Sequence, residues 1–169
     1  MLGGGARRRL TETDMALEEG DTLPAIELDG ADGERIALVD RLGHPFILYF
    51  YPKDDTSGCT REAQDFSALL PKFEALGATI LGVSKDNAIK HQKFAAKYDL
   101  TVPLATDTDG AAMEAFGVWV EKQLYGKRYM GIDRSTFLID KDGRIAREWR
   151  KVKVPGHAKA VLGAARALA

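Results

Sequence analysis

Apolar and polar positions alternate first in "PAIELDGADGERIAL", Pro24 to Leu38, on both sides of the turn-rich "DGADG". That pattern predicts a β-hairpin. The alternation then gives way to "PFILYFY", an unbroken apolar run of strand length. Such a run predicts a central strand covered on both faces. From Cys59 onward the spacing becomes helical: Ala63, Phe66, Leu70 and Phe73 recur and stop before Gly77. Pro71 inside that stripe predicts a kink, or a break into two short helices. "ATILGVS" reads as the next buried strand, and "NAIKHQKFAAKYDL" as a helix turning Ile89, Phe94 and Tyr98 inward. "VPLATD" is a short strand and "GAAMEAFGV" a short helix, and "STFLIDKDGRIAREW" is a strand, an Asp-Gly turn and a returning strand. The chain closes on "GHAKAVLGAARALA", where Val161, Leu162, Ala165 and Leu168 form one apolar stripe. Strands alternating with helices, then a hairpin and a last helix, define an α/β sandwich around a mixed sheet.

Composition sharpens this only a little. A length of 169 residues suffices for one core, and 45% hydrophobic with 29% charged residues is ordinary for a globular domain. Lys plus Arg number 24 against 25 for Asp plus Glu. That near balance gives no global attraction to nucleic acid or to anionic membranes. No apolar run reaches the length that spans a bilayer. The first residues, "MLGGGARRRLTETD", lack the apolar segment of a signal peptide, and the acidic residues that follow argue against a transit peptide. Residues 1–14 are expected to be a disordered tail, or an upstream extension of a protein that begins at Met15, with a single domain over 15–169. One cysteine makes no internal disulfide, so a reducing, cytoplasmic setting is the default.

That cysteine, Cys59, stands just past the end of the apolar run, where a helix begins. Open α/β sheets place their chemistry at such strand ends, and the free N–H groups of a helix start favour an anion. The helix terminus contributes only about 0.3–1 kcal/mol, and Asp54 and Asp55 nearby oppose it. A cation must therefore help. Lys53 and Arg61 are local candidates and Arg134, just before "STFLID", a distant one. The competing reading is a small buried hydrophobe heading the stripe through Ala63 and Phe66.

The surrounding motif separates the two readings. "PKDDTSGC" fits Pro-x-x-x-Thr-x-x-Cys through Pro52, Thr56 and Cys59, and this resembles the peroxiredoxins. The wider "FYPKDDTSGCTREAQDF" is similar to their bacterioferritin comigratory protein (PrxQ) subgroup. The likeness runs from "GDTLPAIEL" through "LGVSKD", "FGVW" and "GIDRSTFLIDKDG" to "VKVPGHA". It implies a thioredoxin-like fold with an N-terminal hairpin. It also implies an antioxidant peroxidase in which Cys59 attacks hydrogen peroxide or an organic hydroperoxide, without metal or organic cofactor. Thr56 and Arg134 become the partners of Cys59, and Pro52 a shield for its pocket. The subgroup's two usual positions for a second, resolving cysteine hold Gln64 and Ala95, and Ser57 replaces a common proline, which loosens the loop. A one-cysteine enzyme is expected, a monomer whose sulfenic acid is reduced by an outside thiol: thioredoxin, glutaredoxin or glutathione. The alternative is a peroxide sensor, or a redox-regulated binding protein, that reacts once and alters a partner's surface.

Other signals carry less. "ATDTDGAAMEAF" sets Asp107, Asp109 and Gly110 as in an EF-hand, but Ala105 and Phe116 fall on the first and last ligand positions. His44, His91 and His157 lack metal spacing and read as surface or capping residues. "RIAREWRKVKV" is basic, but its alternating Lys151, Val152, Lys153 and Val154 predict a half-exposed strand rather than a nucleic-acid stripe.

Overall fold

Strand β3, Phe46–Phe50, is buried at every position, and its two faces enter two separate cores. Phe46, Leu48 and Phe50 belong to one, Ile47 and Tyr49 to the other, which is why the run shows no alternation. The computed structural model describes residues 16–168. The expected tail, 1–14, lies outside them.

Around β3 the elements follow in the order β1 (Glu27–Gly30), β2 (Arg35–Ala37), a short 3-10 turn (Leu38–Arg41), β3, α1 (Ser57–Ala75), β4 (Thr79–Ser84), α2 (Ala88–Tyr98), β5 (Leu104–Thr106), α3 (Ala111–Phe116), β6 (Trp119–Leu124), β7 (Lys127–Ile132), β8 (Ser135–Ile139), β9 (Ile145–Trp149) and α4 (His157–Leu168). Seven strands form a mixed sheet in the order β2-β1-β5-β4-β3-β8-β9, and β6 and β7 pair apart from it. β3, β4 and β5 are parallel neighbours joined through α1 and α2, while β8 runs antiparallel to β3. The predicted N-terminal hairpin is β1–β2, and it closes one edge by pairing β1 with β5. Residues from α1, α2 and α4 share the core on the Tyr49 face; Met113 and Phe116 of α3 pack on the Phe50 face. This is the thioredoxin-like sandwich that the sequence implies.

Several local expectations need correction. Of the kink or break expected at Pro71, the break does not occur: α1 is one helix through it. The carbonyl of Ser67, four residues earlier, cannot receive a bond from a proline nitrogen; the Thr101 hydroxyl donates to it instead at 3.4 Å. On α2, Ile89 is exposed and His91 takes the buried position beside Phe94. Leu168 is exposed as well. His91 and His157 are interior residues, not surface ones. Lys151–Val154 alternates in exposure as expected but is not a strand, because Lys151 adopts φ 51° and turns the chain. The β6–β7 hairpin has no counterpart in the sequence reading.

Candidate active site

The site is built where β3 runs out. Tyr51 still bonds to the sheet, its N–H donating to Val83 O at 3.0 Å. Pro52 then starts a loop that ends at Thr56, in extended conformation, with the first helical bond from Thr60 N–H to Thr56 O at 2.8 Å. Thr56 does not cap α1 with its side chain. Its hydroxyl donates back to Lys53 O at 2.9 Å, which closes the loop and leaves the oxygen free to act as an acceptor.

Cys59 is the third residue of α1, within the turn whose N–H groups lack helical acceptors. Its side chain is 1% exposed and packed in the core with Tyr49, Ala63 and Phe66. Such surroundings disfavour an anion, so the cation matters. Arg134 supplies it: Nη2 donates to Cys59 Sγ at 3.4 Å. The strand register explains how two residues so far apart in sequence meet. Phe50 pairs with Ser135, which sets residue 134 beside the loop leaving β3. Gly58 leaves room for the contact, since a Cβ there would lie 3.0 Å from Arg134 Nη2. The two local cations are not used. Arg61 is mostly exposed beside Asp65, and Lys53 is exposed.

A further residue completes the group. Glu62, 1% exposed on the next turn of α1, accepts from Arg134 Nη1 at 2.8 Å. One guanidinium thus serves both the sulfur and a buried carboxylate. Burial pushes the Glu62 carboxyl up to about 7 in spite of the Arg134 charge. Among the described residues, Glu62 Oε2 and the buried Tyr49 hydroxyl have no hydrogen-bond partner. The signal for Glu62 lay in the sequence as a carboxylate at i+3 from Cys59, inside an apolar stripe.

Asp54 and Asp55 do not face the sulfur. Asp54 accepts from the Tyr51 hydroxyl, and its other oxygen lies 2.7 Å from His91 Nδ1, a close contact off the hydrogen-bond direction. Asp55 accepts from Tyr98 Oη and Lys97 Nζ at 2.6 and 2.9 Å. His157 packs edge-on to Phe66 and Trp149, with Nε2 2.8 Å from Thr136 Oγ1. Burial, with the Arg134 charge, lowers its imidazole to about 4, so it is neutral at neutral pH. Neither buried histidine is hydrogen-bonded to the thiol. A cavity of about 350 Å³ lined by Leu76, Asp140, Lys141, Asp142 and Leu168 lies at the opposite end of β3, away from Cys59.

Comparison with known proteins places the chain in a family. Residues 20–148 match the AhpC/TSA family. Peroxiredoxin Bcp of Xanthomonas campestris is 48% identical over 155 residues, covering 92% of this chain and 97% of that one. Peroxiredoxin Bcp of Bacillus subtilis is 51% identical over 143 residues, covering 85% and 91%. Among solved structures, a cysteine-to-serine mutant of Xylella fastidiosa PrxQ superposes with a TM-score of 0.85 at 43% identity, covering 89% of this chain and 96% of that one. Xanthomonas campestris bacterioferritin comigratory protein, studied for its alkyl peroxide reduction activity, gives 0.81 at 47% identity, covering 87% and 98%. The chain belongs to the AhpC/TSA family. Within it, the chain is a peroxiredoxin of the bacterioferritin comigratory protein (PrxQ) branch, with one cysteine in its sequence.

Proposed function

We propose that Cys59 is the nucleophile that reduces hydrogen peroxide and organic hydroperoxides, and that an external thiol recycles it. The observation that carries this reading is the Arg134 guanidinium 3.4 Å from Sγ at the start of α1. A charge-assisted bond of that kind favours the thiolate. The thiolate attacks one peroxide oxygen, the S–O bond forms as the O–O bond breaks, and the second oxygen leaves as water or alcohol after taking a proton. Arg134 also stabilises the charge that grows on that leaving oxygen. The Thr56 hydroxyl has its own proton committed to Lys53 O, so it accepts from the peroxide O–H and holds the O–O axis towards sulfur. Pro52, half-buried and without an N–H, walls the pocket.

The product is a Cys59 sulfenic acid. Gln64 and Ala95 occupy the branch's usual resolving positions, so the second sulfur comes from outside. A thiol R–SH converts Cys59–SOH to Cys59–S–S–R with loss of water, and a second thiol releases Cys59. We assign this role to glutathione or to a thioredoxin- or glutaredoxin-like protein in a reducing cytoplasm. We assign the working form to a monomer, which size-exclusion chromatography of the reduced protein would check against the chain mass of 18.5 kDa.

Steady-state peroxide consumption with each donor tests the reading. Cys59→Ser should abolish turnover while keeping the native circular dichroism. Intact mass after one equivalent of peroxide should show one added oxygen, and with glutathione one glutathionyl group. Turnover surviving in a folded Cys59→Ser variant would end the assignment. A single oxidation with no turnover on any donor would mark a sensor instead.

A further inference from the structure

The basic stretch after β9 has no part in the chemistry so far, yet it lies against the residue that activates the sulfur. Thr136 pairs with Trp149, and beyond that pair Val152 N donates to Arg134 O at 3.0 Å. Residues 151–154 therefore run alongside Arg134. Val152 and Val154 are half-buried, and Lys151 and Lys153 stand exposed on either side of the anchored Val152. Lys151 holds φ 51°, a left-handed conformation that is unfavourable for a residue with a Cβ and open to glycine. A cation thus occupies a turn position that backbone geometry alone would leave to glycine. A third lysine comes from the loop that leaves β3: Lys53 is exposed, and its carbonyl accepts from the Thr56 hydroxyl. The carboxylates of this neighbourhood are mostly occupied. Asp55, Glu62, Asp65 and Glu148 are each paired with another cation, and Asp54 turns to Tyr51. Asp133, half-buried beside Arg134, is left to oppose three lysines that have no ion pair among the described residues.

We infer that Lys151, Lys153 and Lys53 form a cationic collar that recruits the reducing thiol, and that the thiol it selects is a small one bearing carboxylates, as glutathione does. The inference rests on the peroxidase reading, because only a Cys59 sulfenic acid calls for a second sulfur. Hydrogen peroxide is neutral and gains nothing from the collar. Glutathione carries two carboxylates and one ammonium group, and its attacking form, the thiolate, adds a further negative charge. Exposed cations raise the encounter rate of such an anion, and they favour the thiolate over the thiol. In the step itself the glutathione sulfur attacks Cys59 Sγ. The S–S bond forms as the S–O bond breaks, and the hydroxyl leaves as water with the proton given up by the thiol. The whole chain has a net charge of -1, so the attraction is local to this end of the molecule. With one cysteine in the sequence, no tethered thiol supplies a high effective concentration, and recruitment governs how fast the sulfenic acid is cleared.

The test uses the full chain with Lys151→Gln and Lys153→Gln combined. Cys59 is oxidised with one equivalent of hydrogen peroxide, and the sulfenic acid is then mixed with glutathione, with neutral 2-mercaptoethanol or with cationic cysteamine. Formation of each mixed disulfide is followed by intact mass. In the variant, oxidation by hydrogen peroxide should keep its wild-type rate. Glutathionylation should slow several-fold while the reaction with 2-mercaptoethanol holds. Salt should reproduce the loss in the wild type, since screening shortens from about 10 Å at 0.1 M to about 3 Å at 1 M, and it should have less effect on the variant. Lys153→Glu leaves the left-handed turn at residue 151 untouched, so it covers the case in which Lys151→Gln disturbs the fold. It should slow glutathione and quicken cysteamine. A ratio of glutathione to 2-mercaptoethanol rates that is the same in wild type and variants would overturn the collar. So would equal slowing with all three thiols, which would mean that the segment only props Arg134. A wild type whose Cys59 takes up no oxygen from peroxide would remove the peroxidase reading and the collar with it, a result distinct from any change in the thiol ratio.

Discussion

Gly58 and Arg134 share one small volume, and that makes glycine there a condition of the chemistry. Alanine is the better helix former by up to about 1 kcal/mol, and the clash it creates is with the mobile end of an arginine. Gly58→Ala should therefore keep or raise the melting temperature while slowing Cys59 oxidation, as Arg134→Ala does. For Arg134→Ala we expect a loss of roughly tenfold or more in the stopped-flow oxidation rate, about 1.4 kcal/mol in the barrier. If Gly58→Ala kept the full rate, the 3.4 Å contact would not be what activates the sulfur. Pro52, Thr56 and Cys59 were legible because their spacing is local. From its own residues the sequence offered Arg134 only as one of three cations, and the family resemblance singled it out; the contact itself depends on the register of β8 against β3. Glu62 was passed over because a charged residue in an apolar stripe reads as solvent-facing until its partner is known.

At the level of elements, α1 survives Pro71 through one neighbour. The Ser67 hydroxyl accepts from Thr101 N and Val102 N at 3.0 and 3.1 Å, while Thr101 returns a bond to the Ser67 carbonyl. Ser67→Ala leaves one exposed and one partly shielded N–H without an acceptor, the second at about 1–3 kcal/mol. The melting temperature should drop by roughly 2–8 °C with the oxidation rate unchanged. An equal fall in rate would mean that the far end of α1 controls the site. The helices and buried strands were readable because one-sided or two-sided burial writes a period into the sequence. The β6–β7 hairpin was not. Its strands are largely exposed, so they carry no apolar period. Its turn sets Tyr125 and Gly126 both at positive φ, 52° and 78°, with tyrosine where asparagine would have announced the turn. Ile89 and His91 misled for a different reason: the buried Tyr51 hydroxyl, 3.3 Å from His91 Nδ1, gives the histidine a polar partner inside the core.

Over the whole molecule, two buried groups make stability depend on pH in opposite senses. Glu62, raised to about 7, binds its proton more tightly folded than unfolded, so its contribution is full below 4.5 and is lost as pH rises to about 7. His157, lowered to about 4, contributes fully above 6.5 and loses that contribution as pH falls to about 4. Each displacement is on the order of 3 kcal/mol at about 1.36 kcal/mol per pH unit, so between about pH 4.5 and 6.5 they largely cancel. Glu62→Gln removes one side. Its unfolding free energy in urea titrations should climb by on the order of 2–3 kcal/mol across that interval, against a flatter wild-type profile, and an equally flat variant would contradict the role given to His157. The shared guanidinium links this to the redox cycle. When Cys59 is oxidised its bond to Arg134 changes, and Glu62 is held by the same guanidinium. Oxidation of the sulfur is therefore expected to reach the acid–base state of a residue that peroxide never touches, and proton release on adding one equivalent of peroxide would detect it.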